Sequence, residues 1–414
     1  MILSHVLRIS TSSICLLYCT RNNLETRAAM GRKSDPVVEV TTLENYRRRH
    51  GQYKSDQDAQ LMHAAMPMIA VWDDHEVAND SYRDGAANHD PSKIHPSSEG
   101  SYEVHKAAAI QAYHLWMPIR TGPSKETIYR SFDLGALLLL HMLDTRLVGR
   151  DKAGEYTNIP DVFSPTRKML GNDQFDWLGA KLTDSPGQWQ ILGQQVLMAR
   201  MEIPLSILQF LGQFSGATDL PEMLAAVTAY LTAKGTPAGD RTPEQQDLLD
   251  PTKNPKFGYN LDAWDGYPIE RELLLTSVYN RLLGTDRKLV VLAGDTHNAW
   301  HADITTGGYF AAEVGGLAAD IKVGTMLATS SVSSPGFFEE AYAEVPPDQV
   351  AGIFYGVVDD LKWMDASQRG FLMLTVASAE IKADWVFVTS VFEKAFTSDI
   401  GHSATVPFVG TLFN

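Results

Sequence analysis

Cysteine, uninterrupted apolar runs and positive charge are all scarce in this sequence of 414 residues. Its two cysteines, Cys15 and Cys19, lie close to the N-terminus, so the rest of the chain holds neither a disulfide framework nor a zinc-thiolate site. The net charge of −15 excludes a broad basic face, and we therefore expect no nucleic-acid-binding surface. Arg8 interrupts the short apolar stretch near the N-terminus, so we expect no transmembrane segment.

Residues 1–34 differ in composition from the residues that follow. Their apolar stretch is divided and no clear small-residue cleavage site follows it, which disfavours a secretory signal peptide. We therefore expect a disordered extension over residues 1–34, and the compartment stays open. The remainder mixes helical and strand-like patterns, which predicts one α/β domain over residues 35–414 with a helical insertion around residues 203–260. The insertion is expected either to form a lid or acyl-chain patch or to pack against the body.

The densest group of polar side chains directly follows the apolar segment Met68–Trp72. The β-branched and aromatic residues of that segment predict a buried strand. Active sites of α/β proteins commonly lie at the carboxyl ends of strands, and carboxylate, amide and imidazole groups are ligands of metal cations. We therefore expect a metal site here, in preference to a charged loop that only caps a helix. The polar residues are Asp73, Asp74, His75, Glu76, Asn79 and Asp80.

A second strand-like segment, Leu289–Ala293, is followed by Gly294, Asp295 and His297. Residues two apart on an extended backbone point to the same side, so the carboxylate and the imidazole are expected on one side. Two strand ends so far apart in the chain converge only when their strands share a sheet. The sequence therefore predicts a joint site for one or two metal ions.

A third apolar segment, Leu137–Leu143, predicts a strand buried on both faces and ends beside Asp144 and Arg146. The guanidinium of Arg146 is expected either to bind two oxygens of a phosphate or to pair with Asp144. The sequence leaves both alternatives open.

These motifs resemble those of the alkaline phosphatase D (PhoD-like) branch of the calcineurin-like metallophosphoesterases. The resemblance is carried by WDDHEVAND from Trp72 and AGDTH from Ala293, and it covers roughly residues 35–391. It implies a four-layer αββα sandwich that hydrolyses phosphate esters and uses iron together with calcium. Further similar stretches are Thr42–Lys54, Met142–Arg146, Gln194–Gln195, Trp264–Pro268 and Ser331–Gly336.

The resemblance also implies roles for single residues. WDDHE is similar to the Gly-Asn-His-Glu loop of metallophosphoesterases, which implies that Asp74 binds metal and that His75 is the acid or the electrostatic partner at the leaving group. With Arg146 as the phosphate-binding candidate, His75 makes up the expected catalytic pair. The expected metal ligands are Asp74, Asn79, Asp295 and His297.

One part of the family pattern is missing before Asp73. Family members carry an early strand that ends in Gly-Asp, whose aspartate bridges two metal ions, and no such sequence occurs here. We therefore expect a domain without its first strands and with an unpaired apolar sheet edge.

The leading functional expectation is a metal-dependent phosphomonoesterase or phosphodiesterase that acts on a small phosphate ester. One alternative is a phospholipase D-like diesterase that acts on phospholipids, provided that the helices around residues 203–235 form a lipid-facing groove. The other is a catalytically impaired family member. The family is typically secreted or periplasmic.

Overall fold

The computed structural model describes residues 7–11, 33–92, 99–123, 125–211, 219–308, 316–336, 338 and 345–408. Most of the extension expected over residues 1–34 lies outside the described residues, and the part that is described includes a short strand. No helix in the described ranges is long and apolar enough to cross a membrane.

Strands and helices alternate along the chain, and the predicted α/β class is confirmed. The strands are β1 (Leu7–Thr11), β2 (Arg130–Leu134), β3 (Leu138–Met142), β4 (Trp189–Gly193), β5 (Glu202–Pro204), β6 (Lys256–Gly258), β7 (Lys288–Ala293), β8 (Ala299–Thr305), β9 (Lys322–Ala328), β10 (Leu361–Asp365), β11 (Gly370–Val376), β12 (Glu380–Val388) and β13 (Ser398–Pro407). The helices are α1 (Leu43–Lys54), α2 (Gln57–Ala65), α3 (Tyr102–Trp116), α4 (Ile159–Val162), α5 (Gly171–Asp184), α6 (Leu205–Leu208), α7 (Leu220–Gly235), α8 (Pro243–Leu249), α9 (Pro268–Leu282) and α10 (Pro347–Val357).

A seven-stranded sheet in the order β10-β8-β9-β7-β4-β3-β2 forms the centre of the molecule. Its inner strands β9, β7, β4 and β3 run parallel to one another, whereas β2, β8 and β10 pair antiparallel with their neighbours. The carboxyl ends of the four parallel strands therefore meet at one edge. A second sheet, in the order β1-β11-β12-β13, is antiparallel throughout.

The two faces of the central sheet bury different partners, because successive residues of a strand point to opposite faces. On one face, Val291 and Met326 belong to a core shared with helices α5, α7, α9 and α10. On the other face, Val290 and Leu292 pack with Trp385 of the second sheet. Helices, the large sheet and the small sheet thus stack in that order, consistent with the expected sandwich.

The segment Met68–Trp72 is not a strand, so that prediction was wrong. Side chains bind its carbonyl groups instead of a neighbouring strand: Arg130 donates to the Ala70 carbonyl at 2.6 Å, and Gln195 donates to that of Trp72 at 2.6 Å. A segment rich in β-branched and aromatic residues packs well in a sheet. It becomes a strand only where a neighbouring strand is present to exchange backbone hydrogen bonds with it.

The helical insertion packs against the body of the protein. Ile207 of α6 and Val227 and Tyr230 of α7 are buried in the same core as the central sheet. Their apolar sides are thus turned inward. In the described part of the insertion, these buried residues therefore do not form the lipid-facing groove that would favour a phospholipid substrate.

Candidate active site

The edge at which the parallel strands end gathers polar side chains from several strands, as is usual in α/β folds. β3 leads into Asp144 and Arg146, β4 leads into Gln195, and β7 leads into Asp295 and His297. The acidic segment after Trp72 reaches the same edge from a loop.

Trp72 fastens that loop to the end of β3. Its indole Nε1 donates to Asp144 Oδ2 at 2.9 Å, and its carbonyl accepts from Gln195. The other carboxylate oxygen of Asp144 accepts from the backbone amides of Arg146 and Leu147, each at 2.8 Å. The Asp144 carboxylate therefore binds the Trp72 indole and two backbone amides. The Arg146 guanidinium pairs with other carboxylates.

The residues Asp74–Glu76 form a single 3-10 turn that side chains cap. The Asp73 carboxylate accepts from the Asp74 amide at 2.9 Å, and the Glu76 carboxylate accepts from the Asp73 amide at 2.6 Å. The Asp74 carboxylate in turn accepts from the amide of Asp80 at 2.7 Å. These bonds fix both aspartate side chains in one orientation.

Three carboxylates form the centre of the site. Oxygens of Asp73, Asp74 and Asp295 all lie within 4.8 Å of one another. Burial raises the pKa of Asp295 well above its ordinary value, and nearby carboxylates such as Asp73 add to the rise against the opposing charge of Arg146. Burial alone would raise the pKa of Asp74, but the charges of His75 and Arg146 lower it. Carboxylates this close ionise together only when a cation balances them.

One buried guanidinium, that of Arg146, already lies among these acids. Its Nε donates to Asp73 Oδ1 at 2.7 Å, its Nη1 donates to Asp262 Oδ2 at 2.6 Å, and its Nη2 donates to Asp295 Oδ1. The Arg146 side chain is 0% exposed. Arg150 donates to the other carboxylate oxygen of Asp262, so that two guanidinium groups share one aspartate.

Asp295 and His297 both have left-handed backbone conformations, with φ of 53° and 61°. The prediction of an extended backbone over these residues was therefore wrong, because β7 ends at Ala293. Non-glycine residues with such angles need support from their surroundings and cluster at functional sites.

His297 is held with one ring nitrogen available. Its Nδ1 lies 2.7 Å from the Pro335 carbonyl, which only accepts, so Nδ1 carries the hydrogen in the neutral ring. Burial lowers the pKa of His297 to about 4, so the imidazole is neutral at pH 7. The lone pair of a neutral imidazole then remains on Nε2, which is the form that binds a metal ion.

His75 is oriented by two acceptors. Its Nε2 lies 3.0 Å from Asn79 Oδ1 and 3.3 Å from Asp74 Oδ2. Because both oxygens accept, Nε2 carries the hydrogen. The amide oxygen of Asn79 is therefore bonded to His75 in this structure.

The structure places all predicted site residues at one edge but not in one cluster. His297 lies outside the group of three carboxylates, although it is near enough to Asp74 for that charge to act on its pKa. Among the predicted site residues, those that form ion pairs or hydrogen bonds with one another are Asp74, His75, Asn79, Arg146 and Asp295.

Asp73 was not expected to be a ligand, and neither Asp262 nor Arg150 was expected at the site. Asp262 lies two residues before the Trp264–Pro268 stretch that resembles the family, and Arg150 lies four residues after Arg146. Only their positions close to these motifs could have indicated the two residues, because an aspartate or an arginine alone does not mark a site.

Three comparisons relate this geometry to known proteins. A sequence model described as PhoD-like phosphatase matches residues 16–385. Alkaline phosphatase D of Bacillus subtilis (strain 168) is 31% identical over 275 residues, which are 64% of this chain and 37% of that protein. A solved structure described as "Structure of PhoD" has a TM-score of 0.58 and 25% identity, and the match covers 89% of this chain and 58% of that one. The chain thus spans less than two thirds of the length of both relatives.

Proposed function

Because this chain belongs to the PhoD-like phosphatase family, we propose that it hydrolyses phosphate esters with a metal ion held by Asp73, Asp74 and Asp295. The close approach of these three carboxylates at the carboxyl edge of the sheet carries the proposal. The surrounding charge supports it, since among the described residues five acidic side chains lie beside the guanidinium groups of Arg146 and Arg150, and buried charge needs compensation. The five are Asp73, Asp74, Asp80, Asp262 and Asp295.

The donor groups fit a metal ion. Carboxylate oxygens suit hard cations such as calcium, and a set that also offers imidazole suits iron. His297 extends the set, because its Nε2 retains the lone pair. We take iron and calcium, the ions implied by the family resemblance, as the candidates to test first.

His75 is the residue that we assign to proton donation. When bound, the cation would supply positive charge beside the phosphate and activate a water molecule for attack. In its doubly protonated form, His75 would donate the Nε2 proton to the oxygen of the leaving group and become a neutral imidazole, a step worth roughly 10²–10⁴ in rate. Asn79 and Asp74 keep that hydrogen on Nε2 and hold the ring in place.

The proposed substrate is a small phosphate ester. In the described part of the insertion, apolar residues of the helices pack into the core, which favours a small ester over a phospholipid. Whether the enzyme prefers monoesters or diesters is decided by assaying p-nitrophenyl phosphate against its bis-ester.

The test compares Asp295→Asn with Asp303→Asn. Asp303 is a partly buried acid of β8 that pairs with Lys322 at 2.6 Å and Lys362 at 3.0 Å, away from the site. With iron and calcium supplied, we expect the unaltered protein and the Asp303 variant to hydrolyse at least one ester and to lose activity with a chelator. The Asp295 variant should lose both bound metal and activity. Equal metal content and turnover in all three proteins would refute the proposed site.

A further inference from the structure

All three nitrogen atoms of the Arg146 guanidinium bind protein carboxylates. Its three nitrogen atoms donate to three carboxylates from three separate segments: the turn that contains Asp73, the loop after β7 that contains Asp295, and the loop that contains Asp262. The side chain is 0% exposed. Because no part of the side chain is exposed, a phosphate could reach the guanidinium only if these carboxylates moved, so a role other than substrate binding is indicated.

The position of this cation bears on how many metal ions the acidic group accepts. Arg146 binds Oδ1 of Asp73 and Oδ1 of Asp295, so it does not occupy the other oxygen of either carboxylate. Sites with two ions place them about 3.5–4 Å apart and rely on negative groups between them to offset their repulsion. A fixed guanidinium among the same carboxylates uses part of that negative charge.

Building on the proposed function, we propose that Arg146 is a positioning residue that takes the place of a second cation. The acidic group then binds one metal ion in place of a pair. In the same role, Arg146 keeps Asp73 and Asp295 close together before any ion arrives, since bare carboxylates at this separation repel one another.

The test counts ions in the full chain. The protein is freed of metal, loaded with Mn²⁺, separated from unbound ions and analysed by elemental analysis and by electron paramagnetic resonance, which distinguishes isolated ions from coupled pairs. We expect one isolated ion per chain in the unaltered protein and in R146K, which keeps the charge. We expect R146Q to bind twice as many ions and to show the coupled spectrum.

Arg150→Gln is the matched control, because it removes an equally buried guanidinium that also binds Asp262 but does not pair with the three central carboxylates. It should still bind one ion. Circular dichroism establishes which variants are folded, and if R146Q is unfolded, the counts for the unaltered protein and R146K decide the question.

Ester hydrolysis is measured on the same samples. A coupled pair of ions in the active, unaltered protein would overturn this inference and leave the proposed function intact. A folded R146Q that still binds one ion would also overturn it. A protein that binds no ion and hydrolyses no ester would overturn both.

Discussion

His50 of α1 is a buried histidine whose ring nitrogens both lack a hydrogen-bond partner among the described residues. The residue is 0% exposed, and its ring makes an edge-to-face contact with that of Tyr113, with 6.4 Å between the centroids. Burial, reinforced by the charge of Lys54, lowers the pKa of His50 to about 4. The imidazole is therefore neutral in the folded protein at pH 7.

The sign of the resulting pH dependence follows from the two pKa values. In the unfolded chain the pKa is about 6.5, so between about pH 6.5 and 4 the unfolded state binds more protons than the folded state does. The free energy of unfolding therefore falls as the pH falls through this window. Between pH 7 and 5, His50 alone contributes a loss of about 2 kcal/mol, at about 1.36 kcal/mol for each pKa unit.

Two variants isolate this contribution. Neither His50→Leu nor His50→Gln titrates at this position. The free energy of unfolding of both variants, measured in urea, should therefore fall by about 2 kcal/mol less between pH 7 and pH 5 than that of the unaltered protein. His50→Leu should also be more stable at pH 7, by about 1–3 kcal/mol, because it removes two unsatisfied polar atoms. Since every other titrating group is common to the three proteins, a stability difference that does not change with pH would refute the reasoning.

Two further outcomes concern the candidate site. Trp72→Phe removes the indole donor to the buried Asp144 carboxylate and should lower the free energy of unfolding by about 2–3 kcal/mol in urea titrations; unchanged stability would show that the bond contributes nothing. His75→Ala should lower turnover by roughly 10²–10⁴ while bound metal stays near its original level, and equal losses of metal and turnover would contradict the assignment of His75 as proton donor.

The convergence of the acidic segments could be predicted because it depends on strands that the sequence marks clearly. The apolar segments Leu137–Leu143 and Leu289–Ala293 became β3 and β7, both in the parallel part of the central sheet. Parallel strands end at a common edge, so the residues that follow them were bound to lie near one another. Asp295 and Arg146 accordingly form an ion pair across 149 residues of chain.

The partners within the site could not be predicted, because they depend on side-chain directions that no local pattern encodes. The sequence offered Asp144 as a partner for Arg146, since the two residues are neighbours. The fold instead turns the guanidinium toward Asp73, Asp262 and Asp295. The left-handed backbone at Asp295 was equally hidden, since most aspartates have negative φ and no local pattern marks the exceptions.

The buried amide of Gln195 adds to the contacts that hold the acidic loop at the site without a strand to carry it. Gln195 Oε1 accepts from the amide and the hydroxyl of Thr145 at 3.0 and 2.6 Å, and its Nε2 donates to the carbonyls of Trp72 and Leu143 at 2.6 and 3.2 Å. One side chain from the end of β4 thereby joins the end of β3 to the loop that contains Asp73. Buried hydrogen bonds of this kind are costly to break, because breaking them leaves polar groups without partners. They therefore fix the loop as pairing with a neighbouring strand would. The position of the carboxylates is therefore defined even though the segment before Asp73 is not a strand.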